Sequence, residues 1–389
     1  MDITITPHKL SGPVTPPPSK SQAHRALIAS GLARGGRVDN LADSQDIRAT
    51  RRCLEALLTR PGADLPLLDC GESGSTLRFL IPVALALRGG ARLTGGGRLL
   101  ERPLGPYVSA FKNQGIFLGP DPETPQFLRA EGTLQAGRFE FPGDVSSQFI
   151  TGMLYALPLL EGDSEIVLTS PLESKGYVDM TLDVLERFGV RVQPTGDGYV
   201  VPGGQTYRPC DFTVEADWSQ AGFWYAANGL GNSVKILGMD TGSKQGDKVM
   251  APYYVKLCGP GEVVLDVSQC PDLVPALAVQ AALRKGEITY IVNAARLRIK
   301  ESDRLDTVTT ELCKLGARVA QTPDSLAIQG VEGLTGGTVE AHNDHRIAMM
   351  LAVAATRASG DMTIRGAESV NKSYPNFWED YKSLGGTIR

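Results

Sequence analysis

Polar and apolar positions along this chain recur in one pattern: a polar cluster, an apolar run of helical length, a small or charged turn, then a β-branched stretch. It appears in the first half as SKSQAHRALIASGLARGGRV, ESGSTLRFLIPVALALRGGARL and DVSSQFITGMLYALPLLEGDSEIVL. It returns in the second half as DWSQAGFWYAANGLGNSVKIL, CPDLVPALAVQAALRKGEITYIV and NDHRIAMMLAVAATRASGDMTIR. With Lys20, Ser73, Ser146, Ser219, Pro271 and Asp344 as markers, successive copies lie 53, 73, 73, 52 and 73 residues apart. Near-periodicity of this kind predicts six copies of one supersecondary unit, three to a domain.

A second element stands between several copies, as GYVDMTLDVLERFGVRVQ at 176–193 and SDRLDTVTTELCKLGARVAQ at 302–321. Spaced apolar residues, a Gly where the helix stops and a following V-x-V or R-V-A predict an amphipathic helix leading into a strand. Each unit therefore reads as strands alternating with two helices, one buried and one amphipathic: an α/β fold. The buried type is apolar nearly all round, as at Leu77, Phe79, Leu80, Ile81, Val83 and Leu85. Such a helix belongs inside a domain.

Its polar atoms gather at its start, on Ser, Asp, Asn or Lys, where a helix offers unpaired N–H groups and the positive end of its dipole. A structural repeat would use these caps only to end helices. Here cations accompany them: Lys20 and Arg25, Arg78, Arg102, Lys175, Lys300 and Arg304, Arg346 and Lys372. A helix N-terminus with Arg or Lys beside it is a site for phosphate or carboxylate. The segment PPPSKS suits that role, because Pro16, Pro17 and Pro18 stiffen the chain that delivers Lys20 and Ser21. Asp272 and Glu301 do not fit a site that only holds anions. They read either as proton-transfer groups kept ionised by the cations or as ion-pair partners of Lys300 and Arg304.

Composition changes this picture little. At 389 residues and 42% hydrophobic content, two or three domains with sizeable cores can form. A net charge of −4 argues against nucleic acid and acidic membrane surfaces as partners. The longest apolar run, FLIPVALAL at 79–87, is too short for a membrane span, and MDITITPHKL does not read as a secretory signal. Cys53, Cys70, Cys210, Cys258, Cys270 and Cys313 are scattered, and His8, His24, His342 and His345 make no metal-binding pattern. Reduced thiols, a cytoplasmic location, no metal and no cofactor are expected.

The ordered set SKSxxxR, GESGSTLR, ERP, SSQF, LESKGY, KESDR, NDHR and NKSYP, spanning nearly the whole chain, resembles the 5-enolpyruvylshikimate-3-phosphate synthase family. The resemblance implies an inside-out α/β barrel, the enolpyruvyl transferase fold: two similar domains, each of three βαβαββ units with helices inside and sheets outside. It divides the chain into 19–215, carrying the main shikimate-phosphate motifs, and 1–18 plus 216–389, with the active site in the cleft between them. It also implies transfer of the enolpyruvyl group of phosphoenolpyruvate to the 5-hydroxyl of shikimate 3-phosphate, releasing phosphate, on the route to chorismate and aromatic amino acids. A monomer acting on these two small molecules is expected.

Residue by residue, Lys20, Ser21, Arg25, Ser146, Ser147, Gln148, Ser174, Asp272 and Lys300 match shikimate-phosphate contacts. Lys20, Gly74, Arg102, Gln148, Arg304, Arg346 and Lys372 match phosphoenolpyruvate contacts, and Asp272, Glu301 and Lys20 the catalytic groups. Gly74 has its own physical reading, since a residue without Cβ lets another group come close. Tyr177 matches an aromatic residue near the shikimate ring and reads equally as packing.

Three departures stand out. Arg296 occupies a place where many members have Asn, and Glu72 one where others have Asn. The segments RRCLEALLTRPGADLPLLDC and DKVMAPYYVKLCGPGEVVLDVSQCPD are compressed, so two units are expected to lack outer strands or loops. A UDP-N-acetylglucosamine enolpyruvyl transferase would have K-N in place of Lys20-Ser21 and a cysteine in the loop that reads TGGGRLLERP here. A non-catalytic anion-binding relative would not need Asp272, Glu301 and Lys300 together. An RNA-end-processing relative would show a basic stripe that this acidic chain lacks.

Overall fold

The computed structural model describes residues 1–59 and 64–389. The chain divides into two compact units, Met1–Ser19 with Glu215–Arg389, and Lys20–Val214. The strands β1 (Asp2–Thr6) and β2 (Ser11–Val14) belong to the first-named unit.

The unit Lys20–Val214 opens with α1 (Lys20–Leu32), β3 (Val38–Asp39) and α2 (Gln45–Thr59). A full repeat follows: β4 (Leu67–Asp69), α3 (Gly74–Arg88), β5 (Gly90–Thr94), α4 (Gly105–Phe111), β6 (Phe117–Pro120) and β7 (Leu128–Glu131). Its sheet has the order β4-β5-β7-β6, with β4 and β5 parallel and the other pairs antiparallel. The next repeat copies it with β8 (Arg138–Phe141), α5 (Ser147–Ala156), β9 (Ser164–Leu168), α6 (Lys175–Arg187), β10 (Gln193–Pro194) and β11 (Gly198–Val201). Last, β12 (Phe212–Thr213) returns to lie parallel to β3.

The other unit follows the same plan. It starts with α7 (Trp218–Gly229), β13 (Ser233–Ile236), which runs parallel to β2, and α8 (Met250–Cys258). A full repeat comprises β14 (Val263–Asp266), α9 (Val274–Ala282), β15 (Ile288–Val292), α10 (Arg304–Lys314), β16 (Arg318–Gln321) and β17 (Leu326–Gln329). The final one comprises β18 (Gly337–Glu340), α11 (His345–Ala355), β19 (Met362–Arg365), α12 (Phe377–Ser383) and β20 (Thr387–Ile388). The strand β1 completes its sheet, between β19 and β20.

Four units are thus full four-stranded βαβαββ modules, and two are not. The first unit of each half keeps both helices and a two-stranded parallel sheet but has no terminal hairpin among the described residues. These are the places where the sequence is compressed. From α8 the chain passes to β14 in four residues, 259–262, and from α2 to β4 in seven, of which 60–63 lie outside the described residues. Neither link is long enough for two strands and a turn.

Helices fill the core of each unit. Every residue of α9 and α11 is buried, as are Leu77, Phe79, Leu80, Ile81, Val83 and Leu85 of α3. Sheet residues alternate instead: Phe139 and Phe141 of β8 face the core, while Arg138 and Glu140 face out. Each fully buried Leu, Ile or Phe contributes about 1.5–3 kcal/mol, so an all-apolar helix is strongly held inside. The amphipathic α10 buries Leu305, Val308 and Leu312 and leaves its other face wet.

The prolines sit where the chain changes units. Asp217 N–H donates to the Pro17 carbonyl (2.9 Å), and Ser19 N–H to the Glu215 carbonyl (2.7 Å). The two passing segments therefore hold each other just ahead of α1 and α7.

Candidate active site

In the unit Lys20–Val214 the candidate residues stand at helix starts. Lys20 is the first residue of α1, and its Nζ donates to Asp46 Oδ2 in the first turn of α2 (2.8 Å). Arg25, one turn into α1, is buried and spans three helices. Its Nη1 donates to the Ser21 carbonyl (2.6 Å), Nε to Thr181 Oγ1 (2.9 Å) and Nη2 to the Tyr177 carbonyl (2.9 Å). Burial brings its guanidinium down to about 10, and its Cζ lies 5.2 Å from the Phe79 ring centre.

Ser73 caps α3 by accepting from Thr76 N–H (3.2 Å), which makes Gly74 the first helical residue. A Cβ at Gly74 would lie 2.5 Å from Arg102 Nη1, so the absent side chain is what admits that guanidinium. Arg102 Nε is buried with no hydrogen-bond partner among the described residues. A half-buried cation with an enclosed, unsatisfied Nε–H favours an anionic ligand. Ser146 caps α5, with Ser147 the first residue of that helix and buried.

Gln148 is fixed at both ends of its amide. Its Oε1 accepts from Arg78 Nη1 (2.7 Å), and its Nε2 donates to Ser75 Oγ (3.0 Å). Ser174, ahead of α6, is buried at φ +55°, a left-handed conformation that costs a non-glycine residue about 1–3 kcal/mol. Tyr177 gives its carbonyl to Arg25 and carries that guanidinium 6.0 Å from its ring centre. Glu72 lies against the TGGG loop, where a Cβ at Gly97 would come within 2.5 Å of Glu72 Oε2.

In the other unit five candidates are in direct contact. Asp272 stands in the turn before α9, and its Oδ1 accepts from Arg304 Nη1 (2.9 Å) with Lys300 Nζ at 3.5 Å. Its Oδ2 accepts from Arg346 Nη2 (2.9 Å), and its carbonyl from Arg346 Nη1 (3.0 Å). Arg304, only 1% exposed, also donates through Nη2 to Glu301 Oε2 (2.7 Å) and through Nε to Asp344 Oδ2 (2.8 Å). Asp344 caps α11 by accepting from Arg346 N–H (2.9 Å) and takes Ser302 Oγ as well (3.0 Å).

The electrostatics follow from this packing. Burial pushes the Asp272 carboxyl up, but Arg346, Lys300 and Arg304 outweigh it and hold it well below the usual carboxylate range. Burial brings Lys300 down to about 8 against the pull of Asp272. Arg304 is buried too, yet Asp344, Glu301 and Asp272 fix its charge more firmly than in a free guanidinium. Lys372 stands one step away, donating to the carbonyl of Asn343 (2.5 Å), the residue before Asp344. Arg296 donates to the Ser268 carbonyl, and its charge helps to lower Lys300.

Sequence reading missed Asp46 as the partner of Lys20, and Asp344 as the anchor of Arg304. Both stand at helix starts, where an aspartate reads as a cap. No group of His, Cys, Asp and Glu that could hold a metal ion occurs among the described residues.

This architecture is the enolpyruvyl transferase fold. Over the whole chain it superimposes on the EPSP synthase of Acinetobacter baumannii with a TM-score of 0.81 at 24% identity, covering 99% of that chain. On the enolpyruvyl transferase NikO of Streptomyces tendae the TM-score is 0.79 at 19% identity, covering 98%. The family model for EPSP synthase (3-phosphoshikimate 1-carboxyvinyltransferase) matches residues 5–381. A 3-phosphoshikimate 1-carboxyvinyltransferase of Clostridium kluyveri is 46% identical over 422 residues, covering 99% of this chain and 98% of that protein. Its namesake in Clostridium perfringens strain 13 is 43% identical over 425 residues, covering 100% and 99%. The chain belongs to the EPSP synthase family.

Proposed function

We propose that the helix starts and charges described above share out the work of the family's reaction. The chain transfers the enolpyruvyl group of phosphoenolpyruvate to the 5-hydroxyl of shikimate 3-phosphate and releases phosphate. The hydroxyl oxygen bonds to carbon 2 while carbon 3 gains a proton. The tetrahedral intermediate then loses a proton from carbon 3 and phosphate from carbon 2, restoring the enol ether.

Both substrates carry a phosphate and a carboxylate, which explains why cations gather at so many caps. Lys20, Ser21, Arg25, Ser146, Ser147, Gln148, Ser174, Asp272 and Lys300 bind shikimate 3-phosphate. Lys20, Gly74, Arg102, Gln148, Arg304, Arg346 and Lys372 bind phosphoenolpyruvate. Asp272 takes the 5-hydroxyl proton, Glu301 serves the proton exchange at carbon 3, and Lys20 stabilises the charge that develops on the leaving phosphate.

The observation that carries this reading is the cluster of Asp272 and Glu301 on Arg304, with Lys300 and Arg346 on Asp272. A pure anion binder would gain nothing from two carboxylates there. Three cations leave Asp272 ionised but weakly basic. Substrate anions that draw on the same cations raise its proton affinity as the site fills, so the base is armed by its substrate.

All six cysteines are free, and among the described residues no helix is long and apolar enough to cross a membrane. The free thiols suit a reducing compartment, and the proposal is completed by a monomer at work in the cytoplasm.

The test is phosphate release with both substrates, in the parent and in Asp272→Asn. The variant should bind shikimate 3-phosphate nearly as well while kcat falls about 100-fold or more. An undiminished kcat would refute the assignment of the base. Turnover with UDP-N-acetylglucosamine but not with shikimate 3-phosphate would refute the choice of acceptor.

A further inference from the structure

Lys20 stands at the wrong end of its helix. A cation at a helix N-terminus is repelled by the positive end of the dipole, and Arg25 adds a second positive charge one turn on. Something must hold the ammonium in place, and its neighbour is the carboxylate of Asp46, 2.8 Å away. Both side chains are largely enclosed, 14% and 9% exposed.

Beyond the favourable place of a first-turn carboxylate at the positive end of the α2 dipole, Asp46 has little other task. The cap of α2 is already made by Ser44, whose Oγ accepts from Ile47 N–H (3.4 Å) and whose carbonyl accepts from Arg48 N–H (3.0 Å). Burying a carboxylate in that turn would cost stability if it lacked a cationic partner.

The turn that carries the carboxylate is held from below, where Thr50 Oγ1 donates to the Asp46 carbonyl (3.4 Å). Thr50, one turn further along α2, shares hydrogen bonds with His24 Nδ1 of α1 (2.7 Å) and Thr76 Oγ1 of α3 (2.6 Å). Thr76 Oγ1 in turn donates to Ser73 Oγ, the cap beside Gly74 (2.8 Å). Burial holds His24 well below its ordinary value, with Lys20 and Arg25 adding to the effect, so the ring stays neutral and serves as a hydrogen-bonding strut. A buried polar seam thus ties the starts of α1, α2 and α3 together, and Asp46 is its outward end.

We propose that Asp46 is a positioning residue for the reaction: it aims the Lys20 ammonium at the anionic substrates and offsets the dipole that would repel it. This inference rests on the reading of Lys20 as a substrate contact.

The test uses the full chain and a double-mutant cycle of Asp46→Asn and Lys20→Met, read in KM for phosphoenolpyruvate, kcat and thermal unfolding. Asp46→Asn keeps the shape and removes the charge. It should raise KM about tenfold, as loss of a charged hydrogen bond does, with a smaller change in kcat. In the Lys20→Met background the same change should leave KM where it was. Asp46→Glu should restore part of the loss, and it carries the cycle if Asp46→Asn does not fold. Equal effects in both backgrounds, or parental kinetics in Asp46→Asn, would overturn the proposal. Undiminished affinity for phosphoenolpyruvate in Lys20→Met would instead overturn the reading of Lys20, and this inference with it.

Discussion

Replacing Gly74 by alanine tests the arrangement at its tightest contact. The new Cβ would stand 2.5 Å from Arg102 Nη1 and 3.0 Å from its Cζ. Comfortable contact is about 3.5 Å, so the guanidinium must withdraw by about 1 Å. The backbone itself raises no objection. Gly74 is the first residue of α3, and alanine favours a helix over glycine by up to about 1 kcal/mol. The variant should therefore fold with unchanged or slightly raised stability. Catalysis should suffer instead, because a misplacement of about 1 Å in a positioning group can cost about 100-fold. Phosphate release at saturating shikimate 3-phosphate, with phosphoenolpyruvate varied, should show kcat/KM reduced by between about tenfold and 100-fold. KM for shikimate 3-phosphate, measured with phosphoenolpyruvate in excess, should move little. A folded Gly74→Ala protein with parental kcat/KM for phosphoenolpyruvate would refute the argument. So would a large loss of stability, since the contact would then be part of the scaffold.

Two further outcomes follow from the cluster around Arg304. Lys300 sits at about 8, so raising the pH through that value removes its proton and the positive charge assigned to shikimate 3-phosphate. Calorimetric affinity for shikimate 3-phosphate should fall as the solution becomes alkaline. Lys300→Arg should flatten that limb, and an unchanged pH profile in the variant would exclude Lys300 as its source. Asp344→Ala removes the buried partner of Arg304 and the cap of α11, and should cost about 3–5 kcal/mol in urea unfolding. A loss below about 1 kcal/mol would show that Arg304 is held by Asp272 and Glu301 alone.

The sequence announced the helix starts more clearly than the sheets. A polar cluster before an all-apolar run has one stable solution, a capped buried helix, and Ser73, Ser146 and Asp344 occupy those caps. The same reasoning placed Arg304, Arg346 and Asp272 at neighbouring starts, where they meet. The partners of the cations were harder to see. Asp46 and Asp344 carry the signature of ordinary first-turn carboxylates, and only packing reveals that each is enclosed against a lysine or an arginine. The shortened units showed as compression. That β2, β12 and β1 come from distant stretches to complete their sheets did not, because alternation such as DITIT marks a strand without naming its neighbour.

That borrowing of strands has a consequence for assembly on the ribosome. Residues 2–5 are made long before their partners, 362–365, and β2 must wait for residues 233–236. The inserted unit Lys20–Val214 contains all of its own sheet partners, so it can fold while the opening segment is still unengaged. Pairing across such a separation carries a large closure entropy and comes late. In β1, early synthesis goes with late locking.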